Sequence, residues 1–210
     1  MRERGILFKD RLVRAILDDR KSQTRRPVKA DDGKSAIRLE ATGPTVGGKP
    51  CPYGVVGDRL WVREAWRPAP IRPEDGVLFR ADASNPAADK WKPGIHLRRV
   101  DARITLEVTN VNVEPLQSIT EEEAMAEGVE FYPFGEDVIL DPGRRPAGAP
   151  LEAKGYFIGA PPRQGGYHAT CHFTAVEAFA SLWDSIHGGT LYAWDNDPEV
   201  WAIKFQRVLP

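Results

Sequence analysis

The sequence predicts an α+β protein, and three observations carry that prediction. Apolar alternation with period 2 runs from Arg103 to Val113 and again from Val200 to Val208, which places successive side chains on opposite faces of a strand. Two other segments open on Thr-x-x-Glu, at Thr120/Glu123 and Thr174/Glu177, the capping box that starts a helix. The 19 glycines and 18 prolines among 210 residues divide the chain into short elements joined by irregular loops.

Taken in order, Phe8, Leu12, Val13, Ile16 and Leu17 have the one-face spacing of an amphipathic helix. Pro27 disfavours helical geometry at Arg26, so the helix is expected to end between Arg20 and Arg26. Residues 27–57 read as a Gly- and Pro-rich loop that turns into a strand over Arg59–Glu64, with Val77 to Ala81 as a short partner strand. In the Arg103 to Val113 strand the apolar face switches near Thr109-Asn110, as a bulge or bend requires. Thr120 to Gly128 is a short capped helix that Gly128 stops. Residues 129–172 hold six prolines and little periodicity, which marks a functional lid or a mobile insert. The helix opened by Thr174 presents Phe179, Leu182, Trp183 and Ile186 to the core before Gly188-Gly189 ends it. In the closing strand Trp201, Ile203 and Phe205 alternate, the pattern of a half-buried strand.

Lys and Arg number 29 against 30 Asp and Glu, so a general DNA-coating surface is excluded and any nucleic-acid contact must be local. Two cysteines are too few for a disulfide scaffold, and no apolar N-terminal stretch suggests a leader or a membrane span. The expectation is a soluble cytoplasmic protein with no membrane partner, folded as a single domain over residues 1–210 with insertions at 27–57 and 129–172.

The chemistry-bearing stretch is Asp19-Arg20-Lys21-Ser22-Gln23-Thr24-Arg25-Arg26-Pro27. As a basic helix end it would complement the helix macrodipole. The dipole leaves Lys21 and Thr24, three residues apart among arginines, unexplained. Neighbouring cations and burial lower a lysine pKa, and a neutral lysine can take a proton from a hydroxyl.

This cluster, the Cys51-Pro52-Tyr53-Gly54 and Gly57-Asp58-Arg59-Leu60-Trp61-Val62-Arg63-Glu64 segments, Trp183-Asp184-Ser185-Ile186 and the Val-Trp-Ala-Ile-Lys-Phe closing strand together resemble the ASCH domain family, and within it phage and prophage members. The resemblance implies a PUA-like mixed β-barrel with flanking helices and long loop insertions. A small bacterial member of that family removes the acyl group from N4-acetylcytidine. By that likeness Lys21, Thr24 and Glu127 would be catalytic, with Glu127 reached by aligning Ile119-Thr120-Glu121 with the start of the family's short helix. Arg26, Arg25 and Trp66 would bind the substrate, a nucleoside or modified base, and no metal or other cofactor would be needed.

At a helix C-terminus the Glu127 carboxylate would meet the negative dipole end, which raises a carboxyl pKa and suits a general acid; the plainer alternative is a solvated helix glutamate. A competing function is an RNA-binding or modified-base-binding module without turnover, in which Arg20, Arg25, Arg26, Lys29, Arg98 and Arg99 supply charge and Trp66 or Trp91 a stacking face. A phage structural role finds no coiled coil or repeat to support it. His168, Cys171 and His172 with Cys51 or His96 match no standard zinc spacing, and His187 is expected to act as a helix-dipole partner.

Overall fold

A computed structural model describes residues 1–29, 37–40, 43–69, 76–84, 90–133, 154–157 and 172–208. In chain order the elements are β1 (Glu3–Leu7), α1 (Asp10–Leu17), β2 (Gln23–Pro27), β3 (Ile37–Glu40), β4 (Gly43–Val46), β5 (Lys49–Pro50), β6 (Arg59–Arg63), β7 (Trp66–Pro68), β8 (Val77–Phe79), β9 (Thr105–Pro115), α2 (Glu121–Ala126), β10 (Glu130–Pro133), β11 (Lys154–Phe157), α3 (Ala175–His187) and β12 (Glu199–Val208). The α+β class holds, with strands dominating.

The main sheet has five strands in the order β1-β6-β9-β12-β2. Strands β1 and β6 run parallel, and every other neighbour pair is antiparallel. Against it lies α1, with Leu12, Val13, Ala15 and Ile16 buried. Leu12, Val13 and Ile16 join Leu60, Val62, Leu106, Val108 and Ile203 in the larger core cluster. A second cluster, built from Leu116, Ile119, Val129, Phe179, Trp183 and Val200, holds α2 and α3 together. The Glu121 carboxylate accepts hydrogen bonds from the Ala175 and Val176 amides at the start of α3, at 2.7 and 3.3 Å, so one helix caps the next.

The bulge expected in the long strand is present. Lys204 of β12 faces Asn110 and Phe205 faces Val108, which leaves Thr109 opposite no residue of its partner. The α3 capping box is complete, whereas at α2 only the Thr120 half forms, because Glu123 reaches Arg25 instead. Of the four residues read as the buried face of α3, Phe179, Leu182 and Trp183 are buried and Ile186 is 47% exposed.

Several readings are corrected. α1 stops at Leu17, earlier than Pro27 suggests, because Asp19 takes a left-handed conformation (φ 56°) and the Arg20 and Lys21 amides both bond back to the Ala15 carbonyl. Arg20 and Lys21 therefore lie just past the end of α1, as expected, whereas Arg25 and Arg26 lie on β2. As β2 is an edge strand, Pro27 needs no ladder donor. β12 is buried on both faces from Val200 to Ile203, because it sits between β9 and β2 under the helices. Val77–Phe79 pairs with Trp66–Pro68, not with β6, whose edges β1 and β9 already occupy.

Residues 27–57, read as a loop, contain the three-stranded β3-β4-β5 sheet. Its tight turn is Gly47-Gly48, both with positive φ, between the paired Val46 and Lys49. Within 129–172, β10 and β11 form an antiparallel pair; residues 134–153 and 158–171 lie outside the described residues. No described helix is long and apolar enough to cross a membrane.

Candidate functional site

A cleft of about 290 Å³ opens between the two edge strands of the main sheet. Leu7 and Phe8 line it from the β1 side, Thr24, Arg25 and Arg26 from β2, and Leu182, Trp183 and His187 from α3, with Lys21 and Glu127 also in its wall. The three residues expected to be catalytic are thus brought to one cavity from positions 106 residues apart.

Local backbone geometry makes that convergence. The left-handed Asp19 swings the chain from α1 into β2 and leaves Lys21 at the strand's entrance. The Ser22 amide then donates to the Ala126 carbonyl at 3.0 Å, tying the end of α2 to the same point. Behind Glu127, Gly128 has a φ of +98°, and a Cβ there would lie 3.1 Å from the Ala15 Cβ and 3.5 Å from the Lys21 Cβ. Glycine at this position therefore lets the helix end press against α1.

Lys21 is almost wholly buried, and its ammonium donates to the Gln23 carbonyl (2.6 Å), the Glu127 carbonyl (2.8 Å) and Glu127 Oε2 (2.8 Å). All three N–H bonds of a protonated lysine are thus used within the protein. Burial pushes the Lys21 pKa below the ordinary lysine range and Arg26 and Arg25 add to that, while Glu127 pulls the other way. Three acceptors favour the ammonium, and desolvation favours the amine. The two side chains are 1% and 4% exposed and 2.8 Å apart, a desolvated ion pair.

Arg25, expected to bind substrate, has its Nη2 held by Glu114 (2.5 Å) and Glu123 (2.7 Å), with Nη1 3.6 Å from Glu127 Oε1. That guanidinium braces the glutamates. Glu127 Oε1 itself accepts no hydrogen bond. Arg26 spans the gap between the sheet edges: its Nη2 donates to the Leu7 carbonyl (2.6 Å), and its guanidinium lies 5.2 Å from the Phe8 ring centroid and 5.9 Å from that of Tyr53. Thr24 is 4% exposed and lines the cleft. Trp66 lies elsewhere, on β7 with the Lys92 ammonium 5.0 Å from its ring, and does not line the cleft.

His187, expected only as a helix-dipole partner, also lines the cleft. Its ring packs on Trp183 at 4.5 Å between centroids and meets Tyr192 edge-on at 6.4 Å. Desolvation, then Arg26 and Lys9, lower its pKa against the pull of Asp184. The neutral form is favoured, so the expected role as a cationic dipole partner does not fit. Its position at the end of an amphipathic helix, one turn after Trp183, was the available signal.

Among the described residues no three His, Cys, Asp or Glu side chains cluster as a metal site; His168 and Cys171 lie outside those residues. Cys51 is buried and its thiol pKa is pushed up to about 11 by desolvation, which leaves it unreactive. The chain matches no known protein family, no curated protein and no solved structure.

Proposed function

We propose that this protein is an amidohydrolase of the ASCH type, which removes an acyl group from the N4 amine of a cytosine nucleoside or related modified base. Its sheet would be a PUA-like barrel left open at the seam between β1 and β2, where Arg26 bridges the edges and the cleft admits substrate. The observation that carries the reading is the buried Lys21–Glu127 pair sharing one cleft wall with the Thr24 hydroxyl.

The reactive state follows transfer of the Lys21 proton to Glu127. Thr24 Oγ then gives its proton to the Lys21 amine and bonds to the acyl carbon. The carbon–N4 bond breaks as the Glu127 carboxyl protonates N4, which frees cytidine and restores the ion pair. Water next attacks the Thr24 ester, and Oγ leaves with the proton of Lys21. Arg26, framed by Phe8 and Tyr53, faces the cleft as a cation for the pyrimidine carbonyl or the oxyanion.

Purified protein incubated with N4-acetylcytidine should release cytidine, followed by chromatography. Thr24→Ala and Lys21→Ala should each lower the rate by about 10²-fold or more. Unchanged release by either variant rules out this chemistry.

One observation favours a second reading, binding of a modified base or of RNA without turnover: every Lys21 proton is already accepted by the protein. Salt-dependent RNA binding by a protein that releases no cytidine would select it.

A further inference from the structure

The proposed hydrolysis leaves one proton without an acceptor, that of the water attacking the Thr24 ester. Glu127 is a carboxylate again at this stage, and taking that proton would remove the charge that faces both Lys21, held by Oε2, and Arg25, 3.6 Å from Oε1. Lys21 is committed to protonating the departing Oγ. Besides the cations Lys9, Arg25 and Arg26, the cleft wall carries one further group that can take up a proton, the imidazole of His187.

We propose that His187 is the general base of deacylation, accepting the proton of the water that attacks acyl-Thr24; this rests on the amidohydrolase reading. Its imidazole is partly exposed, lines the same cleft as Thr24, and makes no side-chain hydrogen bond among the described residues. No described residue therefore takes up either ring nitrogen. The ring is not free to swing: Trp183 packs on it, and Trp183 is itself pinned by Nε1 donating to the Tyr192 carbonyl at 2.6 Å. The His187 carbonyl accepts from the Thr190 amide at 3.1 Å and from Thr190 Oγ at 2.6 Å, which fixes the backbone below it. The charges around it are Arg26 on β2, Lys9 before α1 and Asp184 on its own helix. The two cations outweigh the one carboxylate and, with desolvation, keep the imidazole neutral and able to accept a proton near neutrality.

The step balances. As the water oxygen bonds to the ester carbon, its proton moves to an imidazole nitrogen, and Thr24 Oγ departs with a proton from Lys21. The imidazolium then releases its proton to solvent, and Lys21 takes one up.

Wild type, His187→Gln and Thr24→Ala are compared with N4-acetylcytidine, with intact-mass detection of an acetyl adduct on the protein and a pH profile of turnover. His187→Gln should still acylate, should accumulate the adduct on Thr24, should turn over about 10²-fold or more slowly, and should lose the acidic limb of the profile. In His187→Ala, added imidazole should restore turnover, which separates lost chemistry from lost packing. Unchanged turnover, a retained acidic limb, or slow turnover with no trapped adduct and no imidazole rescue would each overturn the assignment. If wild type is active and Thr24→Ala is not, such a result overturns the role of His187 alone. If wild type releases no cytidine, the amidohydrolase reading fails and takes this inference with it.

Discussion

Glu64 and Glu127 are both buried carboxylates paired with a cation, one just past β6 and one at the end of α2, but their surroundings differ. Glu64 is held through both oxygens by Arg103, at 3.0 and 2.9 Å, and Arg103 turns its remaining capacity to Asp82 at 2.6 and 3.0 Å. Glu64 does not line the cleft. Glu127 leaves Oε1 without a hydrogen bond, its partner Arg25 leaves Nε and Nη1 likewise, and the group borders the cleft. Burying a charge costs several kcal/mol unless it is paired and hydrogen-bonded. A fully satisfied pair holds structure together. A partly satisfied pair beside a cavity is the one equipped to act on something else.

Removing one member should expose that contrast. Lys21→Met leaves Glu127 buried with the Arg25 and Arg26 guanidiniums near it but no hydrogen-bonded cation, and should cost about 3–5 kcal/mol in urea unfolding, whereas Lys21→Met with Glu127→Leu should return to within about 1 kcal/mol of wild type. A single variant as stable as the double would show that the pair is not a desolvated ion pair. Arg103→Met should cost less, about 2–3 kcal/mol, because Arg103 is 28% exposed and water relieves part of the loss. That variant should deacylate N4-acetylcytidine at the wild-type rate; a loss of turnover beyond its loss of folded protein would erase the distinction between the two carboxylates.

The smallest effect concerns His187. Its folded pKa lies below the ordinary 6.5, so the unfolded chain takes up this proton first as pH falls. Wild type should therefore lose stability from about pH 6.5 downward until the folded pKa is passed, and His187→Gln should lack that component. Melting temperatures of the two proteins at about pH 7.5 and 5.5 measure it, and a parallel fall in both would remove the neutral imidazole.

Those expectations rest on residues that were unequally legible in the sequence. The Thr174 capping box and the Thr109 bulge were readable because each is a local pattern whose meaning lies within a few residues. Lys21 and Thr24 stood out by residue type, but β2 did not read as a strand. Its Gln23-Thr24-Arg25-Arg26 is polar, and what buries it is ion pairing to Glu114, Glu123 and Glu127, more than 80 residues away in the chain. β1 escaped for a related reason, since only Ile6 of its five residues is buried and no alternation shows. Gly47-Gly48 was a missed local signal, a two-residue hairpin turn inside a stretch whose composition suggested loop. His187 was misassigned because its helix position was visible and the cations beyond its helix, Arg26 and Lys9, were not.

Lys21 also has a mechanical part. The carbonyls of the last turn of a helix lack intrahelical donors. At the end of α2, Ala126 receives the Ser22 amide and Glu127 receives the Lys21 ammonium. The proposed proton donor is thus also the fastener of a helix end. When Lys21 gives its proton to the departing Thr24 Oγ, with Glu127 a carboxylate again, the amine keeps two N–H bonds for three acceptors, so each turnover loosens one of the grips on that turn. The protonation state of the site should then be written into hydrogen–deuterium exchange at the amides around Gly128, a backbone record of chemistry carried by side chains.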